Sequence, residues 1–207
     1  RTSIRENLIP GGAKAPVTDA LCFKFQRGCA FSTKPPAFDR VAAKKLLAEA
    51  GHAGGFSVVL TSTAPRVVVE AIAGNLRAVG IKASVDKLTF GAYRKKQRSG
   101  KVQILVNPWS SGGLADVEST VGFFFSKSAR NYTGDPELTR LAKGSSSAFN
   151  DEKRRALSRK LFDRVNQQHY IMPITARPTA YLHAKGLEIT TGALDTFGAY
   201  GFRMRWK

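Results

Sequence analysis

The side chains best suited to chemistry in this 207-residue chain are few and scattered. Cys22 and Cys29 sit in LCFKFQRGCAF, a spacing that fits no C-x-x-C redox motif. A short-loop disulfide, two free thiols and a metal site are all open at this point. The metal reading needs more ligands, and His52, His169 and His183 are far apart in the chain. Ser110 and Ser111 precede Gly112 and Gly113, but the order is not G-x-S-x-G, and no histidine–acid pair accompanies it by position. Acidic residues are sparse and mostly stand at helix starts, so paired-carboxylate chemistry has no clear candidate. Neither a phosphate-loop signature nor a dinucleotide fingerprint occurs. The inventory therefore points to a binder, not an enzyme, with no cofactor expected.

What remains is Trp109, in VQILVNPWSSGGLADVES. The run Ile104-Leu105-Val106 predicts a strand over 101–109, buried on both faces. Trp109 then stands at the carboxyl end of that strand, where open α/β sheets form ligand crevices. An indole offers apolar area and one donor, the serines can orient a ligand, and Gly112 and Gly113 let backbone approach it. The competing reading packs Trp109 against a neighbouring helix.

Charge sets a second question. The chain carries 33 Lys+Arg against 15 Asp+Glu, a formal +18. The first hundred residues hold 17 basic and 6 acidic side chains, so the excess is spread and not held in a tail. Such a balance raises a nucleic-acid or polyanion reading. The two densest clusters, YRKKQRSGK and EKRRALSRK, also read as solvated helix faces. No apolar run reaches membrane-spanning length, and the chain starts at Arg1 without a signal peptide, as a processed or cut piece would.

The elements that must position Trp109 follow from periodicity. IRENLI reads as the tail of a helix, followed by an irregular Pro/Gly-punctuated stretch to residue 36. Asp39 caps a helix whose stripe is Val41, Ala42, Leu46 and Ala50, with Gly51 as its stop. GFSVVLTST is a strand. A helix with Val69, Ile72, Leu76 and Val79 on one face stops at Gly80, and IKASVDKL is the next strand. Strand, helix and strand with tight turns make a βαβ unit with parallel strands. Thr89 caps a short basic helix before the Trp109 strand. After the loop, VESTVGFFFSKSA reads as a core-packing helix, Asp135-Pro136 as a helix start, and Asn150 as the cap of a long helix striped by Leu157, Leu161 and Val165. YIMPITARPTAYLHAKGLEI suggests two strands joined near Pro178, and FGAYGFRMRWK a terminal strand.

This order of segments resembles the C-terminal part of the family 5 extracellular solute-binding proteins, the dipeptide, oligopeptide and nickel receptors of ABC importers. FDRVAAKKLLAEAGHAGGFSVVLTST, VVVEAIAGNLRAVGIKASVDKLTFGAYRKKQRSG, QILVNPWSSGGLADVES and ARNYTGDPELTRLAKGSSSAFNDEKRRALSRKLFDRVNQQHYIMPI carry the resemblance. It implies an α/β fold: one lobe of a periplasmic-binding-protein (type II, cluster C) fold, a mixed sheet flanked by helices. Residues 1–36 would be an irregular entry segment with the cysteine loop, near the hinge to a missing N-terminal lobe, and 37–207 the ligand-binding lobe. It implies a small-molecule or peptide ligand, an ABC permease as partner, no nucleic acid, a monomer, and a periplasmic location that suits a Cys22–Cys29 disulfide. The implied ligand-binding residues are Trp109, Ser110, Ser111, Gly112, Gly113, Asp116, Asn131 and Tyr132. Gly112 stands where the peptide-binding branch has an aspartate for the peptide amine, and Val117 replaces a proline after Asp116. Ordinary dipeptide recognition is thereby not implied.

Overall fold

The structure, a computed structural model, describes residues 1–128, 130–192 and 201–207. The chain divides into two compact units. The first comprises Arg1–Ala15 and Pro36–Pro108, the second Pro16–Pro35 and Trp109–Lys207.

In the first unit, helix α1 (Thr2–Leu8) is followed by α2 (Arg40–Glu49), whose start is fixed by the Asp39 carboxylate. It accepts from the Val41 and Ala42 amides at 2.9 Å, satisfying two orphan donors of the first turn. Strand β1 (Ser57–Ser62), helix α3 (Arg66–Arg77) and strand β2 (Lys82–Lys87) form the expected βαβ unit, with Ser57 opposite Lys82 and Ser62 opposite Lys87 in parallel. Helix α4 (Phe90–Arg98) is capped by Thr89 Oγ1 and leads to β3 (Ile104–Val106), which pairs parallel to the other edge of β1. The strand order is β2-β1-β3. The core lies where α3 covers the sheet: Leu60, Val69 and Ala73 are fully buried, with Val58 and Ala83 beside them.

Two expectations change here. β3 is three residues long and half-buried, not a doubly covered strand over 101–109. Its apolar run marks an edge strand with one face on the core, because β1 occupies the centre. The α2 stripe keeps its helical period, yet Val41 is 80% and Leu46 63% exposed. Periodicity says that one side is apolar, not that this chain covers it.

The second unit is built from three helices and the cysteine segment. Helices α5 (Glu118–Phe125), α6 (Pro136–Ser146) and α7 (Asp151–Gln167) bury Val121, Phe125, Leu138, Leu141, Leu161 and Phe162 against one another. Asp135 caps α6 with Pro136 at its first position, and Asn150 caps α7, as read from sequence. Of the α7 stripe, Leu161 and Val165 are buried and Leu157 is half-buried. Cys22 and Cys29 are joined by a disulfide and belong to this core. The segment is stitched down by polar contacts. Asp163 of α7 accepts from the Ser32 and Thr33 amides at 2.6 Å, and Asn166 Nδ2 donates to Asp19 O at 2.9 Å. Reduction of the disulfide should cost this unit about 2.5 kcal/mol on loop-closure grounds. The check is a lower urea midpoint in reductant for the wild type and no further effect of reductant on a Cys22→Ser, Cys29→Ser double variant.

The stretch 170–184 forms neither a helix nor a strand, so the first strand expected in YIMPITARPTAYLHAKGLEI is not made. Pro173 and Pro178 each lack the amide donor a ladder needs. The second is the short β4 (Leu187–Ile189), which pairs antiparallel with β5 (Met204–Trp206). Residues 197–200 of the expected terminal strand lie outside the described residues.

Candidate functional site

Trp109 opens the loop that follows the β3 strand and belongs to the second unit. Its indole is half-buried and leans on α5. The ring centroid lies 4.0 Å from that of Phe123, tilted at 44°, and 4.8 Å from that of Phe124, nearly edge-on. Phe123 and Phe124 are themselves edge-to-face at 4.8 Å. Such offset geometries suit the ring quadrupoles. Nε1 points toward Thr120 Oγ1 at 3.4 Å. Thr120, Phe123 and Phe124 fall at helical i, i+3 and i+4, so one face of α5 receives the indole. Of the two sequence readings of Trp109, the structure shows the packing on a helix, with the indole half-buried.

Arg130 adds a fourth layer. Its guanidinium carbon stands 4.3 Å over the Phe123 ring. The sequence reading passed over Arg130 and treated the phenylalanines as core. Only Phe125 is fully buried; Phe123 and Phe124 are half-buried. The signal that could have found the cluster is the 120/123/124 spacing opposite a single loop tryptophan.

The other expected residues are distributed as follows. Ser110 is exposed, and its Oγ accepts from Gly112 N at 3.1 Å. Ser111 is half-buried, and its carbonyl accepts from Leu114 N. Gly112 and Gly113 both have positive φ, 67° and 83°, which turn the loop sharply. A Cβ at Gly112 would meet nothing within 4 Å. Asp116 is drawn into structure: it accepts from Glu118 N at 2.9 Å at the start of α5 and pairs with Arg154 of α7. Asn131 is a brace. Its Nδ2 donates to the carbonyls of Phe125 and Ser126, and its Oδ1 accepts from Thr133 N and Oγ1. Tyr132 is 43% exposed. Trp109 packs on α5 and the loop 110–113 follows it in the chain, while Asp116 and Asn131 are engaged in hydrogen bonds and ion pairs within the second unit.

A separate electrostatic cluster in the second unit centres on Asp135. Its side chain is 2% exposed, accepts from the Glu137 and Leu138 amides, and meets Arg164 Nε at 2.6 Å and the Tyr170 hydroxyl at 3.1 Å. Burial alone would raise its pKa. The Arg164 bond, the two amides and Tyr170 outweigh burial and hold it below the usual carboxylate range.

Among the described residues no group of His, Cys, Asp and Glu could hold a metal ion. No described histidine contact reaches Ser110 or Ser111; His52 packs with Phe56, and His183 lies against Ala184 O. No described helix is long and apolar enough to cross a membrane.

The profile of bacterial extracellular solute-binding proteins, family 5 Middle, matches residues 9–132. The chain belongs to this family. Members of this solute-binding family are binding proteins rather than enzymes. The fold agrees with the assignment. The chain is similar to HbpA2 from Haemophilus parasuis, at 22% identity and a TM-score of 0.62 over 70% of this chain and 32% of that one. It is similar to the periplasmic binding protein DppA from Helicobacter pylori in complex with peptide STSA, at 20% identity and 0.68 over 78% and 33%. It is also similar to a substrate binding protein from Microbacterium hydrocarbonoxydans complexed with 4-hydroxybenzoate hydrazide, at 15% and 0.70 over 100% and 43%. A search of curated proteins found no match. This family 5 chain thus spans roughly a third to two fifths of the length of the structures it resembles.

Proposed function

We propose that this family 5 chain is the C-terminal lobe of the substrate-binding component of an ABC importer. It captures peptide-like or other small solutes in an interlobe cleft and delivers them to a membrane permease from the periplasmic side. Its ligand surface is the Trp109 indole with the loop Ser110–Gly113, and Tyr132 is the outlying member. Residues 1–36 lead in from an N-terminal lobe that supplies the opposite wall. No bond is made or broken. A solute touching both lobes favours the closed form by its differential affinity, and the closed form docks on the permease.

The observation that carries the reading is the half-buried Trp109, packed on α5, with a sharply turned Ser/Gly loop following it in the chain. Charge supports it over a polyanion reading. The basic residues of α4 and α7 are on separate units, and several are neutralised, as Lys96 is by Asp86 and Arg154 by Asp116.

The test follows the Trp109 indole N–H by NMR, with Trp206 of β5 as internal reference. Peptide STSA and 4-hydroxybenzoate hydrazide are the probes. The expected result is a shift of Trp109 and of the 110–113 amides at millimolar probe, since one wall gives about half the contacts of a pocket that normally encloses ~70–90% of its ligand. Trp109→Ala should weaken binding at least about tenfold, read on the loop amides. If both probes leave Trp109 and its loop unmoved, the reading is wrong.

A further inference from the structure

The charge around the Trp109 wall is one-sided. The acids nearest in sequence are turned away or neutralised: Asp116 is bound to Arg154, and Glu118 accepts from Ser146 of α6 at 2.7 Å. Glu118 precedes Phe123 by five residues, so it leaves α5 on another side than the ring does. Arg130 is the cation on this wall. It is half-buried, its guanidinium carbon lies 4.3 Å from the Phe123 ring centroid, and among the described residues it has no carboxylate partner. Phe123 in turn packs against Trp109, the two rings tilted at 44°. A guanidinium held over an aromatic ring still carries N–H groups that a planar two-oxygen acceptor can meet, and it loses little further freedom when one arrives. The tilted ring pair offers apolar area near it. An ammonium group, by contrast, would meet Arg130 with no acid to offset it.

From this we infer that Arg130 is a specificity-determining residue: the solute presents a carboxylate to its guanidinium edge and rests a planar apolar body on the Trp109–Phe123 rings. The inference rests on the proposed ligand surface and adds the chemical class of the solute. It also gives Phe123 a second role, support of the guanidinium, beside its contact with the solute's apolar body.

Three aromatic probes of different charge separate the possibilities: benzoate, benzamide and benzylammonium, titrated against the whole 207-residue chain while the Trp109 indole signal is followed. Benzoate should bind at least about tenfold more tightly than benzamide, and benzylammonium should be weakest. Arg130→Gln should remove the preference for benzoate over benzamide, with the dispersion of the spectrum unchanged. Arg130→Lys should restore only part of it, because an ammonium lacks the planar fork. Equal binding of benzoate and benzamide, or an unchanged preference in Arg130→Gln, overturns the role of Arg130 while the ligand surface stands. If none of the three moves Trp109, the surface itself does not bind and both readings fall.

Discussion

Asp135→Ala should lower the stability of the second unit by about 3 kcal/mol at neutral pH, seen as a lower urea midpoint. Two losses combine. The α6 N-terminus loses its cap, since Asp135 Oδ1 accepts from Glu137 N at 3.0 Å and Leu138 N at 3.3 Å. The other oxygen leaves Arg164 Nε and the Tyr170 hydroxyl without their acceptor. Asp135→Asn separates the two, because asparagine caps nearly as well but carries no charge, so it should cost about half as much. The pH dependence has a definite sign. Burial raises the Asp135 pKa, and its four donors overcome this, so the folded value lies below the ~3.9 of an unfolded chain. The contribution is therefore complete above about pH 4 and is lost as pH falls through the depressed folded value. Asp163, where burial is opposed by Ser32 and Thr33, behaves in the same direction. The gap between wild type and Asp135→Ala should narrow on going from pH 7 to pH 3. A gap that stays constant would mean that the charge of Asp135 contributes nothing.

The helix caps of both units were readable from the sequence, and the Asp135 hub was not. Asp39, Thr89, Asp135 and Asn150 each stand one residue before a periodic run, a local relation that sequence states directly. The partnership of Asp135 with Arg164 and Tyr170 spans about thirty residues and depends on how α6 and α7 pack. The β1–α3–β2 unit was legible for the same local reason, since short turns leave few ways to connect the strands. β3 was overextended because an edge strand and a central strand share the same apolar run. At the site, Trp109 and its glycines stand out by type, but the α5 face that holds them is visible only as a spacing, and Arg130 only once it lies over Phe123. Asp116 looked like a ligand group because it is the loop's acid. Its commitment to Arg154, 38 residues on, is a tertiary fact.

Gly55→Ala should disrupt the first unit more severely than any surface change, by at least about 3 kcal/mol. Gly55 has φ of 71°, where an L side chain is already strained by about 1–2 kcal/mol. A Cβ there would also lie 1.8 Å from the Gly80 carbonyl oxygen and 2.7 Å from its carbon. Both obstacles are backbone, so no rotamer change relieves them. Gly55 enters β1 where Gly80 enters β2, and Lys82 N donates to Phe56 O at 2.7 Å just beyond. Making room must move one strand start against the other, in a parallel pair whose six-residue register places Val58 and Ala83 in the core. Gly112→Ala is the matching control. Its φ of 67° carries a similar backbone penalty, but its Cβ would meet open space, so about 1 kcal/mol is expected. Hydrogen exchange distinguishes the two in space as well as in size. The cluster around Leu60 and Val69 shares no residue with the one around Leu161 and Phe162. Gly55→Ala should therefore strip protection from the β1 and β2 amides while those of α6 and α7 stay protected. Equal costs for the two alanines would refute the close approach of the strand starts, and loss of protection in α6 and α7 alongside β1 would refute the independence of the two cores.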